Sequence, residues 1–192
     1  MDISLSFMIL AAIAAILLIL LLRMYNSLVR MRNAVRNGWS DIDVQLTRRH
    51  DLVPNLVEAV RGYMAHERET LEAVTRARTQ AMTASGAGVD LATRATAEMA
   101  LTGAVGHLFA AAERYPTLKA SQQFLLLQEQ LTSTENRIAY ARQYYNESVR
   151  RYNTALAEFP RNMLAGMMGF SAAALFAAEA SDRASVDVKV SS

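Results

Sequence analysis

RRHDLVPNLVEAVRGYMAHE, residues 48–67, decides whether the middle of this chain is one helix or two. Asp51 is a good N-cap residue. With Leu52 at N1, the ring of Pro54 falls at N3, inside the first turn, where no intrahelical N–H bond is lost. Arg48 and Arg49 then close the preceding helix, where cations complement the negative end of the dipole. The apolar register supports the alternative of one kinked helix, because Leu46, Val53 and Val60 lie seven apart and share a face across the junction. Segments of comparable length favour the break, since they suit an up-and-down bundle better than one long rod. The expectation is a new helix from Asp51, with Gly62 allowing close helix packing and a polar patch at His66-Glu67.

Helical periodicity extends in both directions from this stretch. Upstream, Leu28, Met31, Val35, Trp39, Ile42 and Leu46 recur at three- and four-residue steps. Downstream, Leu52, Leu56, Val60, Tyr63, Leu71 and Val74 continue the pattern until SGAG, residues 85–88, the strongest breaker in the chain. A third segment runs from an N-cap at Asp90 to Arg114 and stops at Tyr115-Pro116. The fourth carries Phe124, Leu127, Leu131, Ile138, Tyr145, Tyr152 and Phe159 and ends at Pro160. Its Phe124–Leu127 turn is apolar all round, which fits a bundle core and equally subunit association. With three Pro and eight Gly in 192 residues, the fold class expected is all-α, an N-terminal transmembrane helix followed by an up-and-down four-helix bundle.

The anchor is ISLSFMILAAIAAILLILLL, residues 3–22, without a charge. Twenty helical residues rise about 30 Å, one hydrocarbon core. Only Asp2 precedes it, whereas Arg23, Arg30, Arg32 and Arg36 follow it, so the positive-inside rule sets the N-terminus outside and the rest in the cytoplasm. The implied partner is the lipid bilayer, whose anionic headgroups the same arginines suit. Three regions follow: an anchor at 1–22, a helical bundle at 23–160, and an apolar C-terminal segment with a polar tail at 161–192. Residues 162–178 are uncharged but too few for a second span, which leaves an interfacial segment, a bundle cap and a subunit contact as their possible roles. In the tail, VDVKV at 186–190 has the pattern of a short strand.

Catalytic templates fail one by one. The chain has no Cys, which excludes disulfides and thiolate chemistry. After His66-Glu67 the i+4 residue is Thr70, so the zinc-protease pattern is absent. Thr47, Tyr63 and Ala104 stand three before His50, His66 and His107, so no di-iron Glu-x-x-His exists. The three histidines read as surface or capping residues, and no catalytic residue, metal or cofactor is expected. A net charge of +2 gives no case for nucleic acid. Instead, polar side chains interrupt apolar faces at Asn33, Asn37, Asp43, Asn136 and Arg142, and Tyr-Asn pairs recur at 25–26, 145–146 and 152–153. Such groups form interhelical networks that fix register. Trp39 is expected in the core.

These residues carry a resemblance. YNSLVRMRNAVRNGWSDIDVQLTRRHDLVPNLVEAVRGYMAHE (25–67), YPTLKAS (115–121), TENRIAYARQYYNESVRRYN (134–153) and FP at 159–160 together resemble the LemA family. The matched positions are Tyr25, Asn26, Asn33, Trp39, Asp43, Arg48, Arg49, Asp51, Pro54, Asn55, Gly62, Tyr63, His66 and Glu67. In the second half they are Tyr115, Pro116, Glu135, Asn136, Arg142, Tyr145, Asn146 and Asn153. One departure is Gly38, where relatives more often carry Ala, and where Gly weakens a helix by up to ~1 kcal/mol. The resemblance implies a bacterial inner-membrane protein with one span and a cytoplasmic helical bundle, and no established enzymatic activity. Some relatives are associated with building intracellular membrane organelles. The expected function is a non-enzymatic, homo-oligomeric membrane scaffold, and the alternative is an adaptor that presents a bundle groove to a partner.

Overall fold

The computed structural model describes residues 2–86 and 88–176. Among the described residues six helices follow in order: α1 (Asp2–Arg61), α2 (Arg68–Ala84), α3 (Leu91–Ala112), α4 (Pro116–Lys119), α5 (Gln122–Ala157) and α6 (Arg161–Ala165). No strand occurs among the described residues. The VDVKV stretch lies outside them.

The expected break at Asp51 does not exist, because α1 runs through Pro54 to Arg61. A proline at position 54 deprives the His50 carbonyl of its i+4 amide donor. In this fold the Nε–H of Arg78, on α2, donates to that oxygen at 2.7 Å. The orphaned acceptor therefore has a partner, and the buried stripe of Leu46, Val53, Leu56 and Val60 stays in register. Arg48, Arg49 and Asp51 consequently sit in mid-helix rather than at helix ends. Asp51 is exposed and caps nothing there.

The chain reverses instead at Gly62–Glu67, where Tyr63 and Met64 both donate to the Val60 carbonyl at 3.0 Å. Met64 seals the turn with a fully buried side chain. Gly62 is exposed and has open space where a Cβ would stand, so it serves no close packing. The later breaks fall as expected. Helix α2 ends at Ala84 and the chain passes Gly88, whose φ of +86° favours glycine. Asp90 then caps α3, accepting from the Thr93 amide at 2.9 Å and its hydroxyl at 2.6 Å.

The described chain forms two compact units. In the unit spanning Asp41–Arg142 with Phe176, four helical stretches surround one core, with Val53, Leu56 and Val60 from α1, Val74, Ala77 and Ala81 from α2, Leu101, Val105 and Leu108 from α3, and Phe124, Leu127 and Leu131 from α5. This is the expected four-helix bundle, with its first reversal at Gly62–Glu67 instead of at Asp51. In the apolar turn of α5, Phe124 and Leu127 face inward, whereas Leu125 and Leu126 are exposed.

The other unit contains residues up to Ser40 together with Gln143–Leu175. Gly38 permits its closest approach: a Cβ there would stand 3.2 Å from both Tyr145 Cα and the Tyr144 ring. Beside it, Trp39 is partly buried and meets the Tyr145 ring edge-on, with centroids 5.8 Å apart. After α6 the chain returns in irregular conformation along α5, where Asn153 grips it. The Asn153 amide donates to Ala173 O at 2.9 Å and accepts from Ala173 N at 3.0 Å. The Tyr145 hydroxyl adds a bond to Ala174 O at 2.8 Å. From Leu5 to Leu22 every side chain of α1 is exposed, and this helix is long and apolar enough to cross a membrane.

Candidate functional site

The heptad of α3 reads Arg94, Glu98, Leu101, Val105, Leu108 and Ala112, all buried. Two of these core positions carry charge, and a buried charge needs a partner. Both find one on α1. Arg94 pairs with Asp43, and Glu98 pairs with Arg49.

Arg49 is the centre of the second cluster, with only 3% of its surface exposed against 4% for Glu98. Its Nη2 binds Glu98, while Nη1 donates to Glu135 Oε2 of α5 at 2.6 Å and to Thr102 Oγ1 at 2.7 Å. The His50 ring Nε2 lies 2.9 Å from the other Glu98 oxygen. One planar guanidinium thus joins α1, α3 and α5, a geometry that its fixed fork of donors allows and a lysine could not reproduce. Arg78 brings α2 into the same cluster through the His50 carbonyl. Burial pushes the Glu98 carboxyl up, but the His50 hydrogen bond and the Arg49 charge outweigh it and hold Glu98 below its ordinary range.

Arg49, Thr102, Glu135 and Asn136 form the polar end of a cavity of about 220 Å³ whose apolar wall includes Val105, Phe109 and Leu131. Chemically the carboxylates of the cluster hold cations, the Thr102 hydroxyl lies 3.3 Å from Glu135 Oε1, and Arg49 Nε is buried without a hydrogen-bond partner. No group of His, Asp and Glu suited to hold a metal occurs among the described residues.

The other sequence-singled residues are dispersed. Glu67 accepts from Arg114 at 2.8 Å and from the Tyr115 hydroxyl at 3.2 Å, tying the α1–α2 turn to the α3–α4 turn. Burial and the Glu67 carboxylate both raise the Tyr115 phenol pKa. Pro116 opens α4 at its first turn. His66, Asn26, Asn33, Asn37, Arg48, Asn55, Tyr63 and Asn136 are exposed. Asn146 is partly buried. Arg142 lies 4.9 Å over the Phe176 ring, and Arg32 the same distance over Phe170. Arg23, Arg30 and Arg36 are exposed on α1 beyond the apolar stretch.

Of the network, sequence reading reached Arg49, Asp43 and Glu135 but missed Arg78, Arg94, Glu98 and Thr102. It also took His50 for a surface or capping residue, whereas that side chain is buried on Glu98. The four-three spacing of Arg94 and Glu98 with Leu101, Val105 and Leu108 was the available signal.

An exposed apolar helix and a bundle held by an internal ionic network define a membrane-associated, all-helical protein. The LemA family model matches residues 38–190, and the chain belongs to the LemA family. It is 31% identical to the magnetosome protein MamQ of Magnetospirillum gryphiswaldense over 173 residues, 78% of this chain and 63% of that protein. Similarity to magnetosome protein MamQ 2 of Paramagnetospirillum magneticum is 28% over 86% of this chain and 68% of the relative. Protein LemA of Metamycoplasma hominis is 27% identical over 84% of this chain and 73% of its own length. The chain therefore spans about two thirds of the length of its magnetosome relatives.

Proposed function

We propose that this protein is a non-enzymatic membrane scaffold that self-associates and organises or shapes the membrane holding its N-terminal helix. The observation that carries the reading is the Arg49–Glu98–His50–Glu135 cluster. Arg49, His50 and Glu98 are buried, Glu135 is partly exposed, and all four are paired within the cluster, which supports a role in holding helices in register. An exposed apolar helix of α1 supplies the anchor, and its arginine-rich flank favours the N-terminus outside and the bundle in the cytoplasm of a bacterial inner membrane. The magnetosome names of two relatives fit a role at an internal membrane. For assembly, α5 turns Leu125 and Leu126 outward, with Tyr140 exposed further along the helix.

The test is the mass of full-length protein in lipid nanodiscs and in detergent across a concentration series. Discrete oligomers are expected, and a strict monomer at every concentration rejects self-association. A second reading, an adaptor, is favoured by the cavity at Arg49 and Phe109. Recovery of one stoichiometric foreign protein from native membrane, with no self-association, would select it.

A further inference from the structure

Helices α1 and α5 run antiparallel within the unit that contains the apolar span, and their contacts set the register. Trp39 meets Tyr145, and two turns later along α5 Tyr152 feels the charges of Arg32 and Arg36. Continuing at 1.5 Å per residue brings the end of α5, Ala157, roughly level with Leu28. The chain then passes through α6, and on its return Phe170 packs edge-on against Tyr25 with centroids 5.7 Å apart. Tyr25 stands only three residues, about 4–5 Å of helix, beyond the last apolar residue of the span, Leu22. The turn between α5 and the returning segment is therefore carried to the level at which α1 leaves the apolar stretch.

That turn is apolar where it is most exposed. Phe159 shows 78% of its surface, Met163 67% and Met167 86%, and Met168 is partly open beside them. Between Phe159 and Phe176 no acidic residue occurs, and the one charge, Arg161, is paired with Glu158 at 3.1 Å. Exposed Arg23 and Arg30 stand on the neighbouring stretch of α1, placed for anionic headgroups. Unbranched, polarizable methionines adapt to irregular apolar surroundings.

We propose that the tip Phe159–Met168 is a second membrane contact, lying in the headgroup–acyl boundary beside the exit of α1. It rests on the reading of α1 as a membrane span. The tip would sit roughly 5–10 Å deep, as interfacial segments do, with Phe159, Met163 and Met167 in the acyl region. The unit that carries the span is thereby attached to the bilayer at two points, the span and the tip.

The absence of native Cys makes the test direct in full-length protein. Single cysteines at Leu18, Tyr140, Met163 and Met167, each exposed, carry an environment-sensitive fluorophore in phosphatidylcholine–phosphatidylglycerol vesicles. Probes at Met163 and Met167 are expected to shift to the blue, and to lose at least about twice as much intensity to shallow spin-labelled lipid as the probe at Tyr140. The Leu18 probe responds to deep spin labels. Quenching at Met163 and Met167 by aqueous iodide alone, as at Tyr140, overturns the proposal. So does a blue shift indifferent to every spin-labelled lipid, because protein then covers the tip. If Leu18 also ignores the lipid quenchers, the span reading fails; if Leu18 responds and Met167 does not, the second contact alone fails.

Discussion

Arg78 donates its Nε–H to the main-chain oxygen of His50 at 2.7 Å, the oxygen that Pro54 leaves without its helical donor. A residue on α2 thus permits an imperfect α1 to remain one helix. Removing Arg78 leaves a part-buried carbonyl unsatisfied, and Arg78→Ala is expected to destabilise the folded chain by about 1–3 kcal/mol. In a Pro54→Ala background the helix supplies its own donor and the same change costs less. A double-mutant cycle by urea denaturation measures the coupling.

Glu98 is the buried hub opposite Arg49 and His50. Glu98→Ala removes one of the two carboxylates that hold the buried Arg49, leaving Glu135 and Thr102 on its other nitrogen, and is expected to cost about 1–3 kcal/mol. Replacing Arg49 and Glu98 together with Met removes both charges and should cost far less than the sum of the single changes. Equal or greater loss in the double variant, read from denaturation midpoints, would contradict a network whose role is pairing.

The same hub sets an acid dependence. Burial raises the Glu98 pKa, and the His50 bond and Arg49 charge pull it down further, so the folded value lies below the ordinary 4.5. Unfolded chains therefore bind more protons than folded ones in this range, and stability rises with pH there. The contribution is complete above the unfolded value and is lost as pH falls from about 4.5 through the folded pKa. Glu98→Gln is expected to lower stability at neutral pH and to flatten this acid limb in melting curves taken at successive pH values.

Asn153 clamps Ala173 through both halves of its amide. Asn153→Leu deletes both bonds and should raise amide exchange across 170–176 by about tenfold or more, the equivalent of a net ~1–2 kcal/mol. Exchange in α3, which lies in the other unit, is expected to stay unchanged. Uniform loosening of both would contradict a local clamp.

Leu125 and Leu126 are exposed on a helix whose Phe124 and Leu127 are buried. Changing both exposed leucines to Glu should leave stability within about 0.5 kcal/mol, as surface changes usually do. It should shift the oligomer population toward monomer in sedimentation. Unchanged assembly moves the association surface elsewhere.

Residues 3–22, the all-helical class, the Asp90 cap and the stops at 85–88, Tyr115-Pro116 and Pro160 were legible because each depends on local chemistry. An apolar run, a capping carboxylate and a proline act on their own neighbourhood. The α1 boundary was not legible by that route. Asp51 and Pro54 carry a valid start signal, yet the donor that overrides it stands on Arg78, 28 positions beyond His50. The ionic site divides in the same way. Heptad spacing alone marks Arg94 and Glu98 as core positions, whereas their pairing with Asp43 and Arg49 needs helices from distant parts of the chain brought together.

By itself, then, the sequence determined where the chain is apolar enough for a membrane, where it is helical and where most helices stop. Tertiary structure decided that α1 continues through a proline, and that a histidine read as a surface or capping residue lies buried on a carboxylate. It also decided that a methionine-rich turn stands level with the end of the apolar stretch of α1. The reason is physical: helix propensity and hydrophobicity are summed locally, whereas an orphaned carbonyl or a buried charge is stabilised by whatever donor or counter-charge the fold delivers across sequence distance.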